Sequence, residues 1–279
     1  MIEAFDADWL ALREPFDHAA RSVALARRLS EWLPQRPRIV DLGAGTGSMF
    51  RFLAPIIGRR QDWLLVDADE ALLDEAFGRI SAWARRRGFN AASTGDELLV
   101  STPTGLWRIE VRTADLARAD DVGGKLSHGW TCDAVVCSAL LDLGSASWLE
   151  RVFDRVGVAF FASLTVDGRD TWLPRDHADA RVRAAFRRDQ FRDKGFGRAL
   201  GPGASAFALR ALAARGYVTA SAPSDWHVSR TSLRMQRALI DGRGGGDLRW
   251  QETRLRQALR GRLAITIGHR DILALPPGG

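Results

Sequence analysis

The segment from Ile39 to Gly47 constrains this chain more than any other. It reads Ile-Val-Asp-Leu-Gly-Ala-Gly-Thr-Gly. The β-branched residues predict the end of a buried strand. The glycines that follow predict a tight loop, because glycine lacks a Cβ atom and adopts positive φ angles without strain. A helix starting at Ser48 would then present its first backbone N–H groups to a ligand. The sequence therefore predicts a ligand-binding strand–loop–helix unit.

The spacing of these glycines distinguishes the loop from other nucleotide-binding loops. The dinucleotide-binding fingerprint has glycines at its first, third and sixth positions, where this chain has Gly43, Gly45 and Ser48. A Walker phosphate loop is excluded, since no Gly-Lys-Ser/Thr follows the glycines. The pattern Asp-x-Gly-x-Gly-x-Gly, which runs from Asp41 to Gly47, instead resembles motif I of the class I S-adenosylmethionine-dependent methyltransferases.

Two further acidic residues support the resemblance, which covers residues 38–165 well and the rest of the chain only as architecture. Asp67 follows the predicted second strand, and Asp115 follows the third. In that family an acid at the first position accepts hydrogen bonds from both ribose hydroxyls, for which a carboxylate has two acceptor oxygens. The second position borders the adenine. The resemblance therefore implies S-adenosylmethionine as the cofactor. The implied cofactor-binding residues are Asp41, Gly43, Ala44, Gly45, Gly47, Asp67, Ala68, Asp115, Leu116 and Ser138.

Strand-like and helix-like segments alternate along the chain. This alternation predicts an α/β fold, a Rossmann-like, mostly parallel seven-stranded sheet with helices on both faces. The predicted sheet strands are 38–42, 61–66, 106–111, 133–138, 156–165, 217–222 and 263–275, and residues 97–102 form a hairpin with the third strand. The predicted helices are 8–33, 48–57, 70–87, 148–155, 178–191, 205–215 and 233–259, the last broken at 242–246.

We expect a single domain built from four parts. Residues 1–37 form an N-terminal helical cap, and residues 38–165 form the S-adenosylmethionine-binding core. Residues 166–203 are polar, rich in Asp and Arg, and too long for an ordinary connection. We interpret them as a lid or substrate-binding insertion; the alternative is a solvated surface insertion. Residues 204–279 complete the sheet.

Methyl transfer is an in-line displacement, so most of the rate enhancement can come from alignment, and a base is needed only where the acceptor must lose a proton. Asp142, just past the fourth strand, and His177, in the lid segment, are the candidate catalytic residues. Asp142 could instead cap the following helix. Of the other histidines, His269 in the last strand is expected to be structural.

Aromatic residues near the lid are candidates for the wall of an acceptor pocket. We predict Trp172, Phe196 and Trp226, together with Asp142, as substrate-binding residues, with a role in the protein core as the alternative for each aromatic residue. The cysteines and histidines do not form a metal-ligand cluster in the sequence, so no metal is expected.

The net charge of +6 and a pI of about 10.4 could indicate a nucleic-acid partner. However, the arginines are interleaved with acidic residues along the chain, and the only lysines are Lys125 and Lys194. The Asn/Asp-Pro-Pro-aromatic motif of amino-methylating nucleic-acid enzymes is also absent after the fourth strand. We therefore expect a small-molecule acceptor and no nucleic acid. The alternatives are an RNA or protein methyltransferase, or a cofactor-binding protein without turnover.

Composition also bears on compartment and assembly. No apolar run reaches the ~18 residues that a membrane span requires, and the acidic N-terminal segment lacks the features of a secretory signal. Cys132 and Cys137 lie five positions apart on one predicted strand, so they point to opposite faces and are poorly placed to form a disulfide. We expect a cytoplasmic protein without a membrane partner, either a monomer or a homodimer.

Overall fold

A computed structural model describes residues 6–118, 125–126 and 130–277 of the chain. The strands are β1 (Arg38–Leu42), β2 (Gln61–Asp67), β3 (Asn90–Thr94), β4 (Glu97–Thr102), β5 (Gly105–Thr113), β6 (Lys125–Leu126), β7 (Trp130–Thr131), β8 (Ala134–Ser138), β9 (Ala159–Leu173), β10 (Val218–Pro223), β11 (Trp226–Val228) and β12 (Ala264–Leu275). The α-helices are α1 (Ala7–Ala20), α2 (Val23–Trp32), α3 (Ser48–Ile57), α4 (Glu70–Arg86), α5 (Ala146–Val156), α6 (Asp179–Gln190), α7 (Ala204–Ala214), α8 (Leu233–Gly244) and α9 (Leu248–Leu259). No α-helix among these residues is both long enough and apolar enough to cross a bilayer.

One large sheet organises the molecule, in the order β10-β12-β9-β8-β1-β2-β5-β4-β3, with β11 paired to β12. The pairs β9–β8, β8–β1, β1–β2 and β2–β5 are parallel, and the remaining pairs are antiparallel. The predicted Rossmann-like fold is thus confirmed, with a sheet that is parallel in its core and antiparallel towards both edges. The seven predicted strands form the span from β10 to β5, and β3, β4 and β11 extend it.

Apolar side chains cover both faces of the parallel strands. Ile39 of β1 belongs to the core under α2, α3 and α4, whereas its neighbour Val40 belongs to the core under α5 and α7. Strands buried on both faces appear in the sequence as continuous apolar runs, without alternation of apolar and polar residues. On the first face, Phe50 of α3 packs edge-to-face on Trp63, with ring centroids 5.2 Å apart. This packing fixes α3, whose N-terminus carries the glycine loop.

The structure differs from the sequence interpretation mainly after residue 165. Strand β9 does not end there but continues to Leu173, because β12 supplies partners along its length, such as Ile265 opposite Trp172. Residues 166–173 are therefore strand, and the remainder of the predicted lid contains α6. The extended β9–β12 pair, with α1, α6, α8 and α9, encloses a third apolar core.

The N-terminal helix is also different from its prediction. The expected single helix over 8–33 is two helices, because Arg21 leaves the helical conformation and the Ser22 hydroxyl caps α2 by accepting from the Leu25 N–H at 3.3 Å. The break lets α2 pack on the sheet while α1 crosses the carboxyl ends of the parallel strands.

Candidate active site

The glycine loop follows β1, the central strand at which the order of strands along the sheet changes direction. β1 is flanked by β2 on one side and by β8 on the other. In open α/β sheets this switch point leaves a crevice beyond the carboxyl ends of the strands, and ligands bind there. The backbone of Gly45 has a φ of +51°, and a Cβ atom there would lie 3.1 Å from Leu10 Cδ1 of α1. Glycine at this position thus lets α1 approach the loop closely.

Substitution of Gly47 tests how tightly the loop packs. Gly47 has a φ of +81°, and an added Cβ would lie 3.0 Å from Ile80 Cδ1. Gly47→Ala is expected to lower the free energy of unfolding by about 1–2 kcal/mol from backbone strain, plus a contribution from repacking Ile80. Gly88→Ala is the matched control, because its φ is +75° and nothing lies within 4 Å of its added Cβ. Equal losses for the two variants in urea denaturation would contradict tight packing at Gly47.

Three adjoining cavities open around this loop. The loop cavity, of about 420 Å³, lies between the loop, the end of β2 and the segment after β8. The polar recess, of about 60 Å³, lies beneath it against α1 and the start of α3. The side cavity, of about 350 Å³, lies between α1, α8 and the extended β9–β12 pair. Arg13 of α1 and Ala139 line all three cavities, so they mark the junction.

Asp41 is the unusual feature of the polar recess. Its side chain is fully buried at the end of β1, and neither carboxylate oxygen has a hydrogen-bond partner. Burial raises its pKa to about 8, although the positive charge of nearby Arg21 acts in the opposite direction. A buried carboxylate without donors is unfavourable, so a ligand that supplies them would stabilise it.

Arg21 lies in the same recess and is held in place by serine oxygens. Its guanidinium donates to the Ser138 hydroxyl at 2.9 Å and to the Ser48 and Ser163 hydroxyls at 3.2 Å each. The recess therefore combines a fixed cation with the unpartnered carboxyl group of Asp41. A zwitterionic ligand matches this pair, because its cationic group would favour the ionised form of Asp41.

Asp67 holds the glycine loop against the end of β2. Its Oδ2 accepts from the Gly45 N–H at 2.7 Å, and its Oδ1 accepts from the Asp69 N–H at 3.0 Å. Burial raises its pKa, and these backbone donors act in the opposite direction. Because each carboxylate oxygen has two lone pairs, Asp67 can still accept from a ligand in the loop cavity.

The structure brings together most of the residues predicted to bind the cofactor. Those that line the loop cavity or the polar recess are Asp41, Gly43, Ala44, Gly45, Asp67, Ala68, Leu116 and Ser138. Gly47 caps α3 behind the loop and lines neither space. Asp115 also lies outside the lining, because its Oδ1 accepts from the Ala117 N–H at 3.0 Å in a half-exposed turn.

Two predicted site residues are not at the site. The side chain of His177 is 92% exposed in the turn before α6, beside Asp176, and it lines none of the three cavities. Trp172 is buried in the third core, where its ring lies 4.9 Å from that of Trp250, and it also lines none of the three cavities. The continuation of β9 carries both residues away from the crevice.

The other predicted residues do line cavities. Asp142 and Trp226 lie in the wall of the side cavity, and Phe196 lies in the wall of the loop cavity. Burial raises the pKa of Asp142 to about 6, and its Oδ1 has no hydrogen-bond partner. Trp226 is fixed by donating from Nε1 to Asp17 Oδ1 at 3.0 Å.

Sequence reasoning missed three residues of the site. Trp9 and Arg13 of α1 line the side cavity, as does His269 of β12. The spacing of these residues in the sequence indicated a shared face. Trp9 and Arg13 stand four positions apart, which places them on one face of a helix. His269 alternates with Ile265 and Ile267, which places these three residues on one face of a strand. Burial lowers the pKa of His269 to about 3, with the charges of Arg13 and Arg243 acting in the same direction.

Two non-glycine residues at the site have positive φ angles. Ala139, directly after β8, has a φ of +52°, and Leu164 in β9 has a φ of +57°. Both line the side cavity. Strain of this kind persists only where the surrounding structure imposes it, and it is concentrated at functional sites.

Comparisons with known proteins agree with this architecture. No family model and no curated protein matches the chain. Among solved structures, it is similar to the YcgJ protein from Bacillus subtilis, with 14% identity, 92% of this chain and 98% of that chain covered, and a TM-score of 0.50. It is similar to a SAM-dependent methyltransferase from Thiobacillus denitrificans solved with S-adenosyl-L-homocysteine, with 14% identity, 98% and 100% coverage, and a TM-score of 0.45. It is also similar to a geranyl diphosphate methyltransferase solved with SAM, with 15% identity, 99% of this chain and 93% of that chain covered, and a TM-score of 0.42.

Of these three structures, the first has a TM-score that supports a shared fold, and the strand order and the glycine loop agree with it. The sheet is parallel at its centre, and the loop that carries the motif lies at its switch point. The chain has a Rossmann-like α/β fold, similar to that of the YcgJ protein.

Proposed function

We propose that this protein transfers a methyl group from S-adenosylmethionine to a small-molecule acceptor. The observation that carries the proposal is Asp41, a fully buried carboxylate without a hydrogen-bond partner beneath the glycine loop. The ammonium group of the methionine end would supply the donors that this carboxyl group lacks. A carboxylate group of the same ligand would lie near Arg21, which lines the recess.

The loop cavity fits the nucleoside part of the same cofactor. Asp67 and Ala68 lie where β2 ends, and the Asp67 carboxylate can accept from a ribose hydroxyl. Leu116, Leu140 and Phe196 supply apolar wall for a planar base. The ligand would thus extend from the wall of the loop cavity into the polar recess.

The side cavity supplies the place for the acceptor. It shares Arg13, Ala139, Leu143 and Lys194 with the loop cavity, so the two cavities meet at these residues. When bound, S-adenosylmethionine supplies a methyl group on a positively charged sulfur. The protein contributes alignment of the acceptor with that methyl group, and Asp142 can accept a proton from the acceptor.

Two other functions are less well supported. A nucleic-acid or protein substrate would need an open binding face, whereas the side cavity is bounded by α1, α8 and the β9–β12 pair. A cofactor-binding protein without turnover would not need a second cavity beside the first. A turnover assay that follows release of S-adenosylhomocysteine over a panel of small metabolites distinguishes this last alternative from an enzyme.

Calorimetric titration with S-adenosylhomocysteine tests the cofactor assignment. We expect binding to the unmodified protein and a loss of affinity of about tenfold or more in Asp67→Ala, because a hydrogen bond to a charged group contributes about 1.5–3 kcal/mol. Asp74→Ala, which removes an exposed carboxylate of α4, is the matched control and should bind as the unmodified protein does.

Three results would contradict the cofactor assignment. These are no binding of S-adenosylhomocysteine, tight binding of a nicotinamide dinucleotide in its place, or an unchanged affinity in Asp67→Ala. The thermal midpoint of each variant shows whether a loss of binding reflects a loss of folding.

A further inference from the structure

We propose that the side cavity takes an uncharged, mostly apolar acceptor that presents a hydroxyl or amino group to Asp142 and His269. This inference rests on the proposed function, because it names the acceptor class for the same site. It assigns His269 a part in acceptor binding, and it predicts methylation on oxygen or nitrogen rather than on carbon.

The wall of the side cavity is largely apolar. Its apolar members include Trp9, Leu143, Leu164, Phe186, Leu239 and Ile267. Trp226 adds a rigid aromatic surface, because its Nε1 is bonded to Asp17 and its ring centroid lies 4.8 Å from that of His269. A volume of about 350 Å³ is in the range of small-molecule sites. The cavity therefore suits a compact apolar frame.

The cations of this wall are each paired with a carboxylate. The pairs are Arg13 with Asp17 at 3.0 Å, Arg243 with Asp170 at 2.8 Å, and Lys194 with Asp189 at 3.1 Å. Arg243 also lies over the ring of Phe186, 3.9 Å from its centroid. An acceptor with a carboxylate or phosphate would have to compete with these internal partners. The charge balance of the wall therefore favours an uncharged acceptor.

Asp142 contributes one unsatisfied acceptor to this wall. Its Oδ1 is buried and has no hydrogen-bond partner. Buried polar atoms are normally hydrogen-bonded, so an exception in a cavity wall indicates a missing ligand donor.

His269 contributes the second unsatisfied acceptor. Its Nδ1 is buried and has no hydrogen-bond partner. In the tautomer that carries the proton on Nε2, the lone pair of Nδ1 is an acceptor. Two acceptors in one apolar wall fit a ligand with one or two N–H or O–H donors.

These groups suit a simple displacement at a heteroatom. The acceptor's oxygen or nitrogen forms a bond to the methyl carbon, and the carbon–sulfur bond breaks with its electron pair passing to sulfur. The proton released from the acceptor passes to the Asp142 carboxylate. His269 is a positioning residue in this step, because its Nδ1 accepts the second N–H of an amino acceptor, or shares the single O–H hydrogen of a hydroxyl acceptor, without taking the proton.

Four matched probes test the acceptor class: para-ethylphenol, para-ethylaniline, para-ethyltoluene and para-ethylbenzoate. Their dissociation constants are measured by saturation-transfer NMR on the full chain in the presence of S-adenosylhomocysteine. We expect the phenol, the aniline or both to bind at least about threefold to tenfold more tightly than the toluene and the benzoate, as one net hydrogen bond predicts. The phenol and aniline arms distinguish a hydroxyl from an amino acceptor.

Substitutions of His269 test whether this binding preference depends on its imidazole in the wall of the side cavity. His269→Phe keeps a ring but removes Nδ1, so the preference for para-ethylaniline over para-ethyltoluene should fall by about threefold, and the acceptor at Asp142 accounts for what remains. His269→Asn places an amide oxygen near the position of Nδ1 and should restore part of the preference. His227→Phe, at an exposed position of β11, is the matched control and should keep it.

Several outcomes would overturn the proposal. They are equal or tighter binding of the toluene or the benzoate, no binding of any probe, or a full preference in a folded His269→Phe variant. Calorimetry with S-adenosylhomocysteine on the same samples separates this proposal from the proposed function. If the cofactor analogue does not bind, the probe series is measured on the unliganded protein, and its preference still decides the acceptor class.

Discussion

Asp142→Asn is expected to lower kcat by about 10²–10⁴ once an acceptor is identified, because the amide cannot take the proton that the acceptor loses. The affinity for S-adenosylhomocysteine should stay unchanged, since Asp142 lines the side cavity and not the loop cavity. Asp241→Asn, at an exposed position of α8, is the matched control and should retain full activity. A folded Asp142→Asn variant with an unchanged kcat would show that no base is needed at this position.

The pH profile gives a second measurement of the same role. Burial raises the pKa of Asp142 to about 6, so the side chain holds a proton below that pH and cannot accept another. We expect kcat of the unmodified protein to rise with pH through about 6 and then to level off. This rise of kcat with pH should be absent from the residual activity of Asp142→Asn.

Asp41→Asn is expected to weaken the binding of S-adenosylhomocysteine by about tenfold to a hundredfold and to stabilise the unliganded protein. Affinity falls because a charge-assisted hydrogen bond contributes about 1.5–3 kcal/mol. Stability rises because the variant no longer buries an ionisable group without donors. Calorimetry and thermal unfolding measure the two effects, with the exposed carboxylate of Asp74 replaced by asparagine as the control.

The stabilisation should depend on pH in a defined direction. Asp41 has a pKa of about 8 in the folded protein, raised by burial from its ordinary value of 3.8. Between these values the folded protein keeps a proton that the unfolded chain has released, so the free energy of unfolding decreases as pH rises. Asparagine does not titrate, so the advantage of the variant should grow from about pH 4 to about pH 8 and then become constant. A variant that is less stable at pH 8 would contradict the burial of an unpaired carboxylate.

The local parts of the site were predictable from the sequence. The loop from Gly43 to Gly47 and the acid at Asp67 follow directly from short segments, because a strand, a positive-φ loop and a helix N-terminus are determined by neighbouring residues. The hairpin formed by β4 and β5 was predicted for the same reason. The order of strands and helices then determined the fold class.

The acceptor side was less predictable because it depends on partners distant in sequence. β9 continues past Thr165 only because β12, about a hundred residues later, pairs with it, and this pairing moves Trp172 and His177 away from the crevice. Which face His269 presents is set by the same register. The orientation of Asp115 reflects a local effect, since its side chain accepts a hydrogen bond from the Ala117 N–H within its own turn.

The two ligand spaces are built from different stretches of the chain. The loop cavity is lined mainly by the glycine loop, the segment from Asp67 to Leu72 and the residues after β8, whereas the side cavity is lined mainly by α6, α8 and the middle of the β9–β12 pair. Substitutions at Phe186 or Leu239 could therefore retune substrate scope without disturbing the donor pocket. This arrangement suits directed evolution, because a library of substitutions confined to the side cavity would vary the acceptor specificity and leave the residues of the loop cavity unchanged.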